Sequence, residues 1–92
     1  MRRKIYREME LLEDLGTALR MPHSEYLGDS IFQLRAQAEG QKARILYFFI
    51  VGQQAILTNG FIKKTPQTPK NELELAKKYK LDYLTRKGAE KS

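Results

Sequence analysis

The run Lys42–Val51, which reads KARILYFFIV, decides the fold of this chain. It is rich in β-branched and aromatic residues, and these favour the extended backbone of a strand. Its apolar residues follow one another without alternating with polar ones, so both faces of the strand are expected to be largely covered. The run therefore predicts the central strand of a β-sheet.

Two further strands are predicted on either side of this run. Residues 31–37, IFQLRAQ, alternate with the period of two that is typical of a half-buried strand. The apolar face of that strand consists of Phe32, Leu34 and Ala36. Residues 55–64, AILTNGFIKK, predict a third strand with a kink at Gly60. Short turns separate the three runs, so an antiparallel meander is the most economical arrangement.

Helices are predicted towards both ends of the chain. In residues 3–15 the apolar side chains recur at steps of three and four, which puts them on one stripe of a helix. Thr68 and Pro69 are typical of an N-cap and a first helical position, and they predict a second helix that reaches about Leu84. Residues 17–30 are interpreted as an irregular connection. The fold class is therefore α+β, with at least three antiparallel strands packed with an N-terminal and a C-terminal helix.

Size and composition narrow the class of protein. Ninety-two residues predict one domain, residues 1–92. The absence of cysteine excludes disulfides and thiolate metal sites, and it fits a reducing compartment. The longest apolar run, residues 45–51, is far too short to span a bilayer. The N-terminus lacks the apolar core of a secretory signal. We therefore expect a cytoplasmic protein with no membrane partner.

Positive charge is concentrated in the last third of the chain. Residues 60–92 contain nine Lys and Arg and four Asp and Glu, which accounts for +5 of the net charge of +6. Such a surplus favours a polyanionic partner, because lysine and arginine gain affinity by displacing phosphate counterions. A lysine-rich, solvated helix face explains the same charge equally well.

Metal and nucleophilic catalysis have little support in the sequence. His23 is the single histidine, and only Glu25 lies near it in the chain. One such pair is not a set of metal ligands, so a surface or capping role is favoured for the histidine. No serine has a histidine partner, and the glycines are too scattered to form a nucleotide-binding loop. We expect no metal and no cofactor.

Cations of the predicted strands are the remaining candidates for chemistry. Arg35 is expected on the sheet face opposite Phe32. If the strands pair in register, Arg44 and one of the adjacent Lys63 and Lys64 can converge with Arg35 on one side of the sheet. Arginine binds phosphate with a bidentate fork, and a lysine crowded by cations has a lowered pKa. From spacing alone, cations that merely solubilise an exposed sheet face are the favoured alternative.

Three stretches together resemble a known family. They are LEDLGTALRMPHSEYLGDSIFQLR, RILYFFI and LTNGFIKKTPQTPKNELELAKKYKLDYL. They resemble the RelE/HigB toxin superfamily, and most of all its phage-derived HigB-like branch, from about Ile5 to Leu84. The most specific piece is GFIKKTPQTP followed by a lysine-rich helix.

The resemblance implies a function and partners. It implies the toxin of a type II toxin–antitoxin system, an mRNA endoribonuclease that acts in the ribosomal A site. Cleavage would use the 2′-hydroxyl of the substrate and no metal. The implied partners are mRNA, the ribosome and a helix-turn-helix, HigA-like antitoxin, with operator DNA bound only through the antitoxin complex.

The resemblance also implies roles for individual residues. The implied RNA- and phosphate-binding residues are Arg35, Arg44, Tyr47, Lys63, Lys64 and Lys70. Of these, Arg44, Lys63 and Lys64 are the expected catalytic residues, with phosphate binding and proton transfer as the roles of the two lysines. Tyr47 either stacks on a base or lies in the core, and its alternation with apolar neighbours favours the core.

Two departures from the family leave alternatives open. Family members usually have a β-strand and another helix before the segment that matches residues 4–15, so a missing first strand and an unpaired sheet edge are expected. There is no histidine or carboxylate near GFIKKT, so the general base is not identified. A basic RNA- or ribosome-binding module that does not cleave, or a domain that only binds an acidic antitoxin segment, are the alternatives.

Overall fold

The computed structural model describes the backbone of residues 1–51 and 53–90 and the side chains as far as Lys87. Its elements are α1 (Arg2–Leu15), a 3-10 turn (Gly16–Ala18), β1 (Ser24–Gly28), β2 (Ile31–Ala38), β3 (Gln41–Ile50), β4 (Gln54–Ile62) and α2 (Lys70–Glu90). The predicted α+β class is confirmed.

The four strands form one antiparallel sheet in the order β1-β2-β3-β4. The predicted meander is confirmed, and β3 is a central strand. The turn between β2 and β3 is formed by Glu39 and Gly40, which have φ angles of 53° and 78°. Two positive φ angles in a two-residue loop match the right-handed twist of the flanking strands. This tight turn sets the register that pairs Arg35 with Arg44.

One strand of the sheet was missed by the sequence prediction. Residues 17–30 were expected to be irregular, but β1 lies within them and pairs with β2, with Glu25 opposite Gln33. β1 has only five residues and mixes polar with apolar ones, so it has no clear period of two. Its conformation depends on hydrogen bonds from β2, which a local pattern cannot reveal.

The start of the second helix also differs from the prediction. The Pro69 carbonyl accepts hydrogen bonds from the backbone N–H groups of Glu72 (3.1 Å) and Leu73 (3.2 Å). Thr68 is therefore one residue too early to be the N-cap. Its hydroxyl donates instead to Oε1 of Gln33 in β2 (3.1 Å) and so ties the helix start to the sheet. Neither helix in the described ranges is apolar over a length that could cross a bilayer.

The helices cover opposite faces of the sheet. On the α1 face the core consists of Leu12, Leu19, Leu34 and Tyr47. On the α2 face it consists of Ile31, Leu46, Phe48 and Ala76. Successive residues of β3 thus alternate between two apolar cores, which confirms that both faces of this strand are covered. Burial of these apolar side chains in two layers stabilises the sheet.

The predicted kink in the last strand is a β-bulge beside Gly60. Tyr47 pairs with Leu57 and Ile45 pairs with Gly60, so β4 has one extra residue at this point. Asn59, within the bulge, donates from Nδ2 to the Glu72 carboxylate in the first turn of α2 (2.9 Å). The bulge therefore connects the end of β4 to the start of α2.

Two lysines of α2 contact the turn between β1 and β2. Lys77 Nζ lies 2.8 Å from Asp29 Oδ2, and Lys80 Nζ donates to the Asp29 carbonyl (3.2 Å). The hydrogen bond and charge of Lys77 lower the pKa of Asp29 below its ordinary value of 3.8. A carboxyl whose pKa is lower in the folded state than in the unfolded state stabilises the fold at pH values above its unfolded-state pKa. This contribution is lost as the pH falls through the folded-state pKa.

We predict that Asp29→Asn slightly lowers the urea midpoint of unfolding at neutral pH. Asn tolerates the φ of 52° at this position, so the substitution removes the charge and keeps the turn. As the pH falls through the lowered pKa of Asp29 the carboxyl becomes neutral, so in acid the two proteins should unfold at the same urea concentration. An equal difference at both pH values would instead attribute the effect to the turn backbone.

Candidate functional site

Three of the predicted cations come together on the α2 face of the sheet. Arg35 and Arg44 are directly opposite each other on β2 and β3, and Arg44 also pairs with Phe61 of β4. The backbone N–H of Lys63 donates to the Lys42 carbonyl (2.6 Å), so the ladder continues one residue beyond β4. Because side chains alternate along a strand, Lys63 shares the face of Phe61. We call Arg35, Arg44 and Lys63 the cation cluster.

The central member of the cation cluster is Arg44, which is only 2% exposed. Its Nη1 donates to the Ala43 carbonyl (2.9 Å), and its Nε has no hydrogen-bond partner among the described residues. Burial and the charge of Arg35 lower the pKa of Arg44, but a guanidinium remains charged at neutral pH. A buried charge with an unpaired donor is costly, and binding of an anion would offset that cost.

Lys63 completes the positive side of the site. It is half-buried at the point where β4 gives way to the following loop. Burial lowers the pKa of Lys63, and the charges of Arg44, Arg35 and Lys42 lower it further. This is the crowding by cations that the sequence suggested for one of the two adjacent lysines. An anion could therefore contact the partly exposed Arg35 and Lys63 and would also be attracted by the charge of the buried Arg44.

A carboxylate that the sequence search missed lies beside the cation cluster. Glu25 Oε1 is 3.8 Å from Arg35 Nη1 and accepts a hydrogen bond from Nε2 of the buried Gln33 (2.6 Å). The negative charge of Glu25 acts on both Arg44 and Lys63, since it opposes the lowering of their pKa values. Glu25 was missed because β1, the strand that carries it, was not predicted. Recognition of a hairpin turn at Asp29 would have predicted β1 and placed Glu25 opposite β2.

The other predicted site residues lie elsewhere. Lys64 and Lys70 are exposed, one directly after Lys63 and the other at the first position of α2. Tyr47 is 1% exposed in the core on the α1 face, where its ring stacks on Phe32 with 5.4 Å between the centroids. Its hydroxyl hydrogen-bonds Ser24, and burial raises its pKa. Tyr47 was expected either to stack on a base or to lie in the core, and the structure shows it in the core.

A cavity of about 300 Å³ opens beside the cation cluster, at the edge of β2. Arg35 and Arg44 line it, together with Glu8 of α1 and His23. His23 was expected to be a surface or capping residue, but it is half-buried and its Nδ1 lies 2.9 Å from Glu8 Oε2. Among the side chains that the structure describes, residues 1–51 and 53–87, no three His, Cys, Asp or Glu are grouped as a metal site. The charged or titratable side chains of this region are cations, His23 and the carboxylates Glu8 and Glu25.

We predict that Arg44→Met stabilises the fold. The methionine fills similar space and removes a buried charge with an unpaired Nε, so the free energy of unfolding should rise by about 1 kcal/mol or more. Urea unfolding measures this change. The control Lys78→Met alters an exposed cation on α2 and should change stability by less than about 0.5 kcal/mol. A large loss of stability in Arg44→Met would show that the guanidinium holds the fold together.

Comparison with known proteins identifies a family for this chain. No curated protein matches it. The family described as phage-derived protein Gp49-like (DUF891) matches residues 1–80, which include all four strands and the cation cluster. That family belongs to the RelE toxin-like group, so the resemblance to RelE is confirmed, and the HigB-like branch stays a prediction. With most of its length matched, the chain belongs to the phage-derived, Gp49-like family of the RelE toxin-like group.

Proposed function

We propose that this chain is the HigB-like toxin of a type II toxin–antitoxin system and an mRNA endoribonuclease that acts on the translating ribosome. The observation that carries the proposal is Arg44, a buried guanidinium beside two further cations, whose Nε has no partner in the part of the chain that the structure describes. An RNA phosphate offers the negative charge and the several acceptor oxygens that this arrangement lacks. Membership of a toxin-like family supports the same conclusion.

The proposed reaction uses the 2′-hydroxyl of the substrate as the nucleophile. Its oxygen attacks the adjacent phosphorus and the bond from phosphorus to the 5′-oxygen breaks, which leaves a cyclic phosphate and a 5′-hydroxyl. Negative charge builds up on the non-bridging oxygens as the phosphorane forms. Arg35, Arg44 and Lys63 stabilise that charge, and this kind of stabilisation is commonly the largest single contribution to catalysis. The exposed Lys64 and Lys70 bind neighbouring phosphates.

Glu25 is the proposed general base. The bond from Gln33 Nε2 and the proximity of Arg35 Nη1 hold its carboxylate at the border of the cation cluster. A phosphate bound by Arg35 would bring a 2′-hydroxyl within reach of this carboxylate, which can accept the proton as the attack begins. The second carboxylate oxygen is the one that remains to make this contact.

The proposed partners follow from the toxin function. A toxin must be held inactive, and we propose a helix-turn-helix, HigA-like antitoxin that inhibits the chain and carries the complex to operator DNA. The substrate complex is mRNA on the ribosome, in the cytoplasm. The alternative is a module that binds RNA, the ribosome or the antitoxin through the same cations and does not cleave. Cleavage itself distinguishes the two.

We predict that expression of the chain arrests growth and that Lys63→Ala or Arg44→Ala relieves the arrest. Primer extension on mRNA from translating ribosomes should show cuts for the unchanged chain and none for these variants. Lys63→Arg keeps a positive charge, so it should retain cleavage if the lysine acts by charge alone. Lys64→Ala should weaken cleavage less, because this side chain is exposed and would bind a flanking phosphate.

Lys78→Ala is the matched control, since it removes an exposed lysine of α2 outside the cation cluster. It should cleave like the unchanged chain. If the unchanged chain binds ribosomes and leaves mRNA intact, the non-cleaving alternative replaces the nuclease. If Lys78→Ala lowers cleavage as much as Lys63→Ala does, net charge and not the cation cluster is responsible.

We predict that Glu25→Gln separates binding from cleavage. Glutamine can still accept the hydrogen bond from Gln33 but is no base, so cleavage should slow by on the order of 100-fold. RNA affinity should stay the same or increase, because a negative charge next to the phosphate is lost. Single-turnover cleavage and filter binding at one salt concentration measure the two effects. Unchanged cleavage would rule out Glu25 as the base.

A further inference from the structure

Histidine and glutamate side chains meet in the cavity next to the cation cluster. The cavity is lined by Lys4 and Glu8 of α1, by His23, and by Arg35 and Arg44 of the cluster. β1 covers the neighbouring edge of β2 only as far as Arg35, whose N–H donates to the His23 carbonyl (2.8 Å). A group that enters this cavity would therefore meet His23 as well as the two arginines.

Glu8 is an unusual residue for its position. It is 2% exposed on the face of α1 that packs on the sheet, one turn before the core residue Leu12. A carboxylate is costly there unless both oxygens have partners. Lys4 Nζ lies 3.4 Å from Oε1, and His23 Nδ1 lies 2.9 Å from Oε2. The apolar stripe of α1 is thus interrupted by a carboxylate that is directed at a histidine.

The contact with Glu8 determines which ring nitrogen of His23 is available to a substrate. An ionised carboxylate can only accept, so Nδ1 donates to Glu8 and Nε2 is the nitrogen that can exchange a proton with a substrate. The side chain is 39% exposed, and its backbone N–H donates to the Arg20 carbonyl (3.0 Å). One hydrogen bond to Glu8 therefore orients the ring, backbone hydrogen bonds fix the residue that carries it, and the side chain lines the cavity. Imidazole is the side chain best suited to proton transfer near neutral pH.

We propose that His23 is the general acid of RNA cleavage and that the buried Glu8 positions it, an inference that rests on the proposed nuclease function. Protonated His23 donates from Nε2 to the 5′-oxygen as the electron pair of the breaking bond passes to that oxygen. The leaving group departs as a neutral 5′-hydroxyl. Glu25 has taken the 2′-hydroxyl proton, so one proton enters the protein and one leaves it. Exchange with water restores both groups.

A purely structural pair is the competing explanation, because His23 also serves as a partner for the buried Glu8. The variant His23→Asn separates the two roles. The amide nitrogen of asparagine can occupy roughly the position of Nδ1 and keep the bond to Glu8, but the side chain cannot donate a proton to a leaving group. Lys78→Ala is the control, because Lys78 is exposed on α2 and lies outside both the cavity and the cation cluster.

The experiment compares two substrates on programmed ribosomes. One mRNA has an ordinary scissile linkage, and the other has sulfur in place of the bridging 5′-oxygen. A thiolate leaves without a proton, so the second substrate needs no general acid. For His23→Asn we expect cleavage of the ordinary substrate to fall by on the order of 100-fold. Cleavage of the sulfur substrate should stay close to that of the unchanged chain.

The same pattern is expected for Glu8→Gln, with a smaller loss on the ordinary substrate, since His23 is still present. Lys78→Ala should cleave both substrates normally, and urea unfolding of His23→Asn should match that of the unchanged chain. Equal loss on both substrates, or no loss on either, would overturn the role of His23 as the acid. If the unchanged chain cleaves neither substrate, the proposed nuclease function fails and the role of His23 fails with it.

Discussion

Two arginines face each other directly across β2 and β3, and the site is organised around this pair. Arg35 and Arg44 are register partners on one face of the sheet, so their like charges repel. Burial of Arg44 adds a cost of desolvation. The apolar layers on both sides of β3 stabilise the sheet against these costs. Binding of an anion between the two arginines would offset both costs.

The remaining elements arrange polar groups around that pair. The bulge in β4 and the bond from Asn59 to Glu72 connect the end of β4, where Lys63 follows, to the start of α2. The chain of hydrogen bonds from Thr68 through Gln33 to Glu25 joins α2, β2 and β1. The start of α2, which resembles an ordinary helix cap in sequence, therefore helps to place a carboxylate next to the cations.

Departures from ordinary core composition are concentrated near one site. Among the described residues, the buried charged or polar side chains are Glu8, Ser24, Gln33 and Arg44. Ser24 is paired with Tyr47 in the core, and the other three line the cavity or contact a group at the cation cluster. Sites that bind or react commonly break local rules in this way, and the stability lost there is supplied by the rest of the fold. The two carboxylates near the site, Glu8 and Glu25, have different surroundings: Glu8 is buried against Lys4 and His23, and Glu25 is partly exposed beside Gln33 and Arg35.

The sequence by itself determined the helices, three of the four strands and the antiparallel meander, because apolar periodicity and turn residues are local properties of the chain. It also pointed to Arg35, Arg44 and one of two adjacent lysines, since alternation along a strand assigns side chains to faces. Only the tertiary structure decided that β1 exists, that Lys63 is the lysine beside the arginines and that Glu25 lies next to them. It alone joined His23 to Glu8. These contacts link residues far apart in the chain, and they depend on strand register and helix packing, which no local pattern encodes.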